Sequence, residues 1–131
     1  MSWARLTLQV WANVMSYEVA VSAQDANGRS AGEVSQPAVT DLLVRLRNEM
    51  YEPDRGAWLS ARFVLNRGEE PDISFNYDDD PQWSPDLHPL MYARDLEVYP
   101  RAEQHVPQWL QDRVAFGLEL ERQHEADGDT Q

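Results

Sequence analysis

Leu6, Leu8, Val10, Ala12 and Val14 alternate with Arg5, Thr7, Gln9, Trp11 and Asn13. This is the period-two pattern of a strand with one buried face. Tyr17, Val19, Val21 and Ala23 repeat it against Glu18, Ala20 and Ser22, ending in a turn at Asp25-Ala26-Asn27-Gly28. The pattern predicts two antiparallel strands, with a short third piece near Gly32–Val34. Ser35 or Gln36 then caps a helix with Pro37 in its first turn, where its missing N–H costs nothing. Val39, Leu42, Leu43, Leu46 and Met50 follow at helical spacing as the expected core stripe, leaving Arg45, Arg47 and Glu49 outside it. Pro53 stops the helix and Gly56 turns the chain into a hairpin.

In that hairpin Ala57, Leu59, Ala61, Phe63 and Leu65 point one way, and Trp58, Ser60, Arg62 and Val64 the other. Ile73, Phe75 and Tyr77 alternate with Ser74 and Asn76 in its second arm, so residues 57–66 should pair with 72–78. Asp78 to Pro89 has no period and reads as loop. Leu90–Val98 predicts a short helix with Leu90, Tyr92 or Ala93, Leu96 and Tyr99 inward. Val106 to about Gln123 predicts a last helix whose core candidates are Trp109, Leu110, Val114, Phe116, Leu118 and Leu120. The expected fold is α+β: a single antiparallel sheet of four to five strands, with helices packed mainly on one face. Residues 1–124 form one domain in this reading, and 125–131 a disordered acidic tail.

Composition narrows the chemistry. The 131 residues suit one domain with a real core. There is no cysteine, which excludes disulfides and thiolate metal sites. No apolar run spans a bilayer, and the start Met-Ser-Trp-Ala-Arg-Leu lacks the form of a secretory signal, so cytoplasm is the expected compartment. Net charge is −12, which repels nucleic acid and anionic membranes and favours a basic partner. All 11 basic residues are arginine, which removes Schiff-base and phosphate-loop lysine chemistry.

The most informative cluster is Tyr77-Asp78-Asp79-Asp80-Pro81-Gln82-Trp83, followed by Asp86. Adjacent carboxylates repel, so such a run is either a solvated loop or a surface kept for a basic partner. Asn76, Asp78 and Asp80 mimic the start of a calcium loop. That loop needs glycine at its sixth position and glutamate at its twelfth, which here are Pro81 and Leu87. His88, His105 and His124 have no metal-ligand or nucleophile-activating spacing and read as surface or capping residues. No Gly-x-Ser-x-Gly elbow or phosphate cradle occurs. The expectation is therefore a binding protein without metal, cofactor or catalytic residues. Its expected contact residues are Tyr77, Asp78, Asp79, Asp80, Trp83 and Asp86, with Trp83 as an exposed apolar anchor. The alternative for Trp83 is that it folds back over the sheet as a lid.

Five segments carry a resemblance. They are Leu46-Arg-x-x-Met-Tyr51, Gly56-Ala-Trp-Leu-Ser-Ala-x-Phe63, Phe75-Asn-Tyr-Asp-x-x-Pro-x-Trp83, Asp95-Leu-Glu-x-Tyr-Pro-Arg101 and Pro107-x-Trp-Leu110. Together, over roughly residues 40 to 112, they resemble the actinobacterial relatives of the YezG-type immunity proteins. The resemblance implies a cytoplasmic antitoxin that neutralises a cognate toxin domain by binding it, with no catalytic residues to carry over. It departs at the start of the chain, where the leading helix expected of that family is shortened or missing. A toxin that cuts nucleic acid or consumes NAD presents a basic cleft, which an acidic loop can occupy. The competing classes are an acidic adaptor or regulatory module, and a small carboxylate-dependent hydrolase with its site in the hairpin concavity.

Overall fold

A computed structural model describes residues 4–30 and 36–129; the expected strand piece at Gly32–Val34 lies outside them. Four strands, β1 (Arg5–Asn13), β2 (Ser16–Gln24), β3 (Ser60–Asn66) and β4 (Asp72–Asn76), form one antiparallel sheet in the order β2-β1-β3-β4. Three helices complete an α+β fold: α1 (Gln36–Met50), α2 (Pro89–Val98) and α3 (Gln108–Asp129). Helix α3 thus continues six residues past its expected end, through most of the segment read as a disordered tail. Its last part, with Arg122 and Glu125 exposed, is one continuous helical run, in which each added residue closes a further backbone hydrogen bond.

Register follows the alternation. Leu8 lies opposite Val21 on one side and Phe63 on the other, and Val10 opposite Val19 and Ala61. One face of the sheet therefore collects Leu8, Val10, Ala12 and Ala61, and α1 covers it with Leu43, flanked by Val39 and Met50. The other face carries Gln9, Trp11, Arg62 and Ser74.

The helix faces differ from those expected. In α1 the buried line is Leu43 and Arg47, while Leu42 is 63% exposed. The rotation brings Arg47 onto Asp95, a partner invisible to local periodicity. In α3 the close contact is at Gly117, where a Cβ would lie 2.6 Å from the backbone of Pro89 and Leu90. Phe116 and Leu118 flank that position in sequence, so they swing off the packed face and are exposed. In β3, Leu59 and Ser60 both meet Asn76, a bulge that interrupts the alternation. Trp58, expected on the polar side, lies fully buried in the core against Phe75.

Leu43→Ala should cost about 2–5 kcal/mol in urea unfolding, by cavity formation. Leu42→Ala should stay within about 0.5 kcal/mol of wild type. Equal losses would mean that α1 presents the other face.

The candidate partner-binding surface

The acidic loop starts where β4 ends, and local bonds shape it. Asn76 Oδ1 accepts from the Asp78 and Asp79 amides at 3.2 and 2.9 Å, while Asn76 Nδ2 donates to the Asp79 carbonyl at 2.8 Å. Asp80 Oδ1 accepts from the amide of Gln82 at 2.9 Å, and Gln82 itself has φ of 58°. These Asx-type bonds replace the ladder that ends at Asn76. Three long-range donors then tie the loop down. Trp109 Nε1 donates to the Asp78 carbonyl (2.7 Å), Trp11 Nε1 to the Pro81 carbonyl (2.8 Å), and Arg113 Nη2 to Asp80 Oδ2 (2.7 Å).

The loop's acids divide into two groups. Asp80 and Asp86 turn towards α2 and α3. Arg113 pairs with Asp80 and lies 3.7 Å from Asp86, and the Tyr92 hydroxyl donates to Asp86 Oδ1 at 2.5 Å. Burial, then the bond to Asp86, pushes the Tyr92 hydroxyl well above the usual tyrosine range. Burial opposes the Arg113 charge, but the bond to Asp80 and the nearby acids outweigh it and raise its pKa. Arg113 also sits over the Tyr92 and Trp109 rings, which meet edge to face. This cluster is a clamp that closes the loop onto the helices.

Asp78 and Asp79 face the other way, into an open groove of about 470 Å³ on the sheet. Gln9, Ser60, Arg62, Ser74 and Asn76 line its floor, with Arg55 and Tyr77 beside the two aspartates. Asp78 keeps a side chain 64% exposed, 3.7 Å from Arg101. Arg101 is itself buried; burial lowers its pKa from the ordinary arginine value, with Asp78 acting in the opposite direction. Its other bonds go to the carbonyls of Ala57 and His105. Gly56, at φ 93°, lies so close to it that a Cβ would sit 2.5 Å from the Arg101 side chain.

Two expectations need correction. Trp83 is not an exposed anchor; it is 8% exposed, because the bonds from Trp11 to Pro81 and from Arg113 to Asp80 draw in the loop just before it, and Arg113 lies 3.7 Å from Asp86 just after it. The three aspartates are also not left to repel one another, since Arg101 faces Asp78 and Arg113 pairs with Asp80. Tyr77 is likewise buried, with the Arg55 guanidinium 3.8 Å above its ring. Of the six residues, the structure brings Tyr77, Asp78 and Asp79 together at the groove, and sets Asp80 and Asp86 apart in the clamp.

Sequence reasoning missed the arginines. Arg113 follows Trp109 by four residues, which places both on one face of α3, and that spacing was readable. Arg101 gave no comparable signal. His88, expected on the surface or at a cap, caps α2, its Nδ1 accepting from the Leu90 amide at 3.1 Å.

Several residues of the resembling segments serve the fold. Arg47, fully buried, forms a bidentate pair with Asp95 at 2.7 and 2.9 Å and donates to the Trp58 carbonyl at 2.7 Å. Asp95 Oδ1 also accepts from the Val14 amide at 2.7 Å, so α1, α2, the β1–β2 turn and the entry to β3 meet at one ion pair. Among the described residues, no group of three or more His, Asp or Glu side chains is placed to hold a metal ion. Among the described residues, no helix is long and apolar enough to cross a membrane. No protein-family profile matches the sequence, and neither does any curated protein.

Proposed function

We propose that this chain is an immunity protein that binds a basic toxin domain and neutralises it by occupying its cleft. One observation carries the reading. In a chain of net charge −12, Asp78 and Asp79 stand exposed at the mouth of an open groove, on a loop already held by Asn76, Trp109 and Arg113. A loop ordered before the encounter loses little conformational freedom on binding. Exposed carboxylates steer a cationic partner and raise its association rate. The resemblance of the five segments to immunity proteins points the same way.

The partner should be the product of the adjacent open reading frame, and co-expression followed by pull-down and mass spectrometry identifies it. Asp79→Arg should then slow association by roughly three- to tenfold at low salt and flatten its salt dependence, with little change in dissociation. Asp79 suits this test because its bonds within the loop run through its backbone amide and carbonyl. Wild-type association by Asp79→Arg would put the interface elsewhere. Capture of no basic protein would remove the antitoxin reading.

A further inference from the structure

Strand β4 is an edge of the sheet, and its free backbone groups can be named. The β1–β2 hairpin closes through Asn13 opposite Ser16, and the Ala12 amide donates to the Leu59 carbonyl at 3.0 Å. Even-numbered residues of β1 therefore bond towards β3, odd residues of β3 bond back, and the even residues of β3 bond towards β4. Arg62 opposite Ser74, and Val64 opposite Asp72, are then the bonded pairs of the β3–β4 ladder. This leaves the N–H and C=O groups of Ile73 and Phe75 directed outward, with no strand beyond them among the described residues. The Ile73 side chain is 47% exposed beside the half-buried Phe75. Exposed acids crowd both ends of the strand: Glu69 and Glu70 before it and Asp72 as its first residue, Asp78 and Asp79 after it.

We infer that β4 is a docking edge for an extended basic segment of the partner, which adds to the sheet as a fifth strand. Main-chain bonds to Ile73 and Phe75 supply the pairing. Alternate side chains supply the selection. Residues on one face of the incoming strand cover Ile73 and must be apolar; those near its ends meet carboxylates and must be basic. Charge excludes the obvious competitor, a second copy of this chain. Antiparallel pairing of two β4 edges would set Glu69, Glu70 and Asp72 of one copy beside Asp78 and Asp79 of the other. Like charges opposed across a ladder are destabilising. The charges that guard the edge against self-association thus admit a cationic strand.

The inference rests on the reading above, that the partner is basic, but its test separates the two. The probe is an acetylated, amidated heptapeptide of alternating arginine and valine, titrated into the full chain while backbone amides are followed by NMR. The Ile73 and Phe75 amides should shift and exchange more slowly with solvent. Ile73→Pro removes the outward N–H without touching the β3–β4 ladder, a substitution that edge strands accept. It should leave the fold intact and weaken peptide binding by about tenfold or more. A peptide N-methylated at alternate positions on its pairing edge should lose binding to the wild-type protein in the same measure. Should Ile73→Pro fail to fold, the methylated peptide alone decides the matter. Equal binding by the methylated peptide, or by a folded Ile73→Pro variant, would overturn strand addition and leave only charge attraction. A wild-type dimer that Ile73→Pro breaks would overturn the choice of occupant. A toxin bound normally by the Ile73→Pro variant removes the docking edge but spares the immunity reading. Peptide binding with no basic protein captured does the reverse.

Discussion

Asp95→Asn should lower the stability of the fold by about 3–5 kcal/mol, read as a shift in the urea midpoint at unchanged slope. The size follows from what is left behind. Arg47 is fully buried, and its guanidinium has two bonds to Asp95 and one to the Trp58 carbonyl. Burial works against its charge, and Asp95 more than offsets that, so its pKa lies above the ordinary value. An asparagine keeps the shape and an acceptor for the Val14 amide, but leaves a buried cation without a counter-charge. Arg47 cannot escape by losing its proton. Since a domain of this kind has roughly 5–15 kcal/mol in total, the variant would stand near the threshold of unfolding. Replacing both partners, as Arg47→Met with Asp95→Leu, should recover only part of the loss: an apolar pair of similar volume carries no desolvation penalty, but the Trp58 carbonyl and the Val14 amide lose their partners. A loss below about 1 kcal/mol for Asp95→Asn would mean that the pair is open to water.

Trp83→Ala should cost about 3–5 kcal/mol of stability, the range for truncating a buried aromatic side chain. Had Trp83 been an exposed anchor, the same change would have left folding intact and hastened partner dissociation. Its burial reverses that expectation. Loss of the indole opens a cavity under a loop that Trp11, Trp109 and Arg113 hold closed, so the placement of Asp78 and Asp79 would loosen as well. Affinity for the partner should therefore fall in step with stability, and Trp83→Phe should restore a good part of both. Unfolding followed by tryptophan-independent circular dichroism, beside dissociation kinetics on the same samples, separates the two cases. Faster dissociation at wild-type stability would return Trp83 to the interface.

Most of the sheet was legible in the chain. Period-two alternation in residues 5–13 and 16–24, and again in 60–66 and 72–76, follows from the geometry of a strand alone, so it survives any tertiary arrangement. The helix positions were legible for the same reason. Their faces were less so. An apolar stripe of five residues on α1 looked sufficient, yet a charged residue, Arg47, occupies the centre of the buried side. Periodicity treats arginine as solvent-facing, and only the arrival of Asp95, 48 residues later, makes its burial tolerable. The same limit governs Phe116 and Leu118, which apolarity alone assigned to the core.

For the candidate surface the division is sharper. The amino-acid sequence by itself determined that the chain is strongly acidic, that its carboxylates crowd between β4 and α2, and that Ser60, Arg62, Ser74 and Asn76 can share one face of a sheet. These are properties of composition and of local period, and neither needs a partner in space. Which carboxylates remain available was decided by the tertiary structure. Arg113 reaches the loop from 33 residues beyond Asp80 and takes Asp80 and Asp86 into a clamp, while Arg101, 23 residues beyond Asp78, faces Asp78, which stays with Asp79 at the groove. Charge pairing depends on distances of a few ångströms between residues remote in sequence, and only the packing of α2 and α3 against the end of the sheet sets those distances.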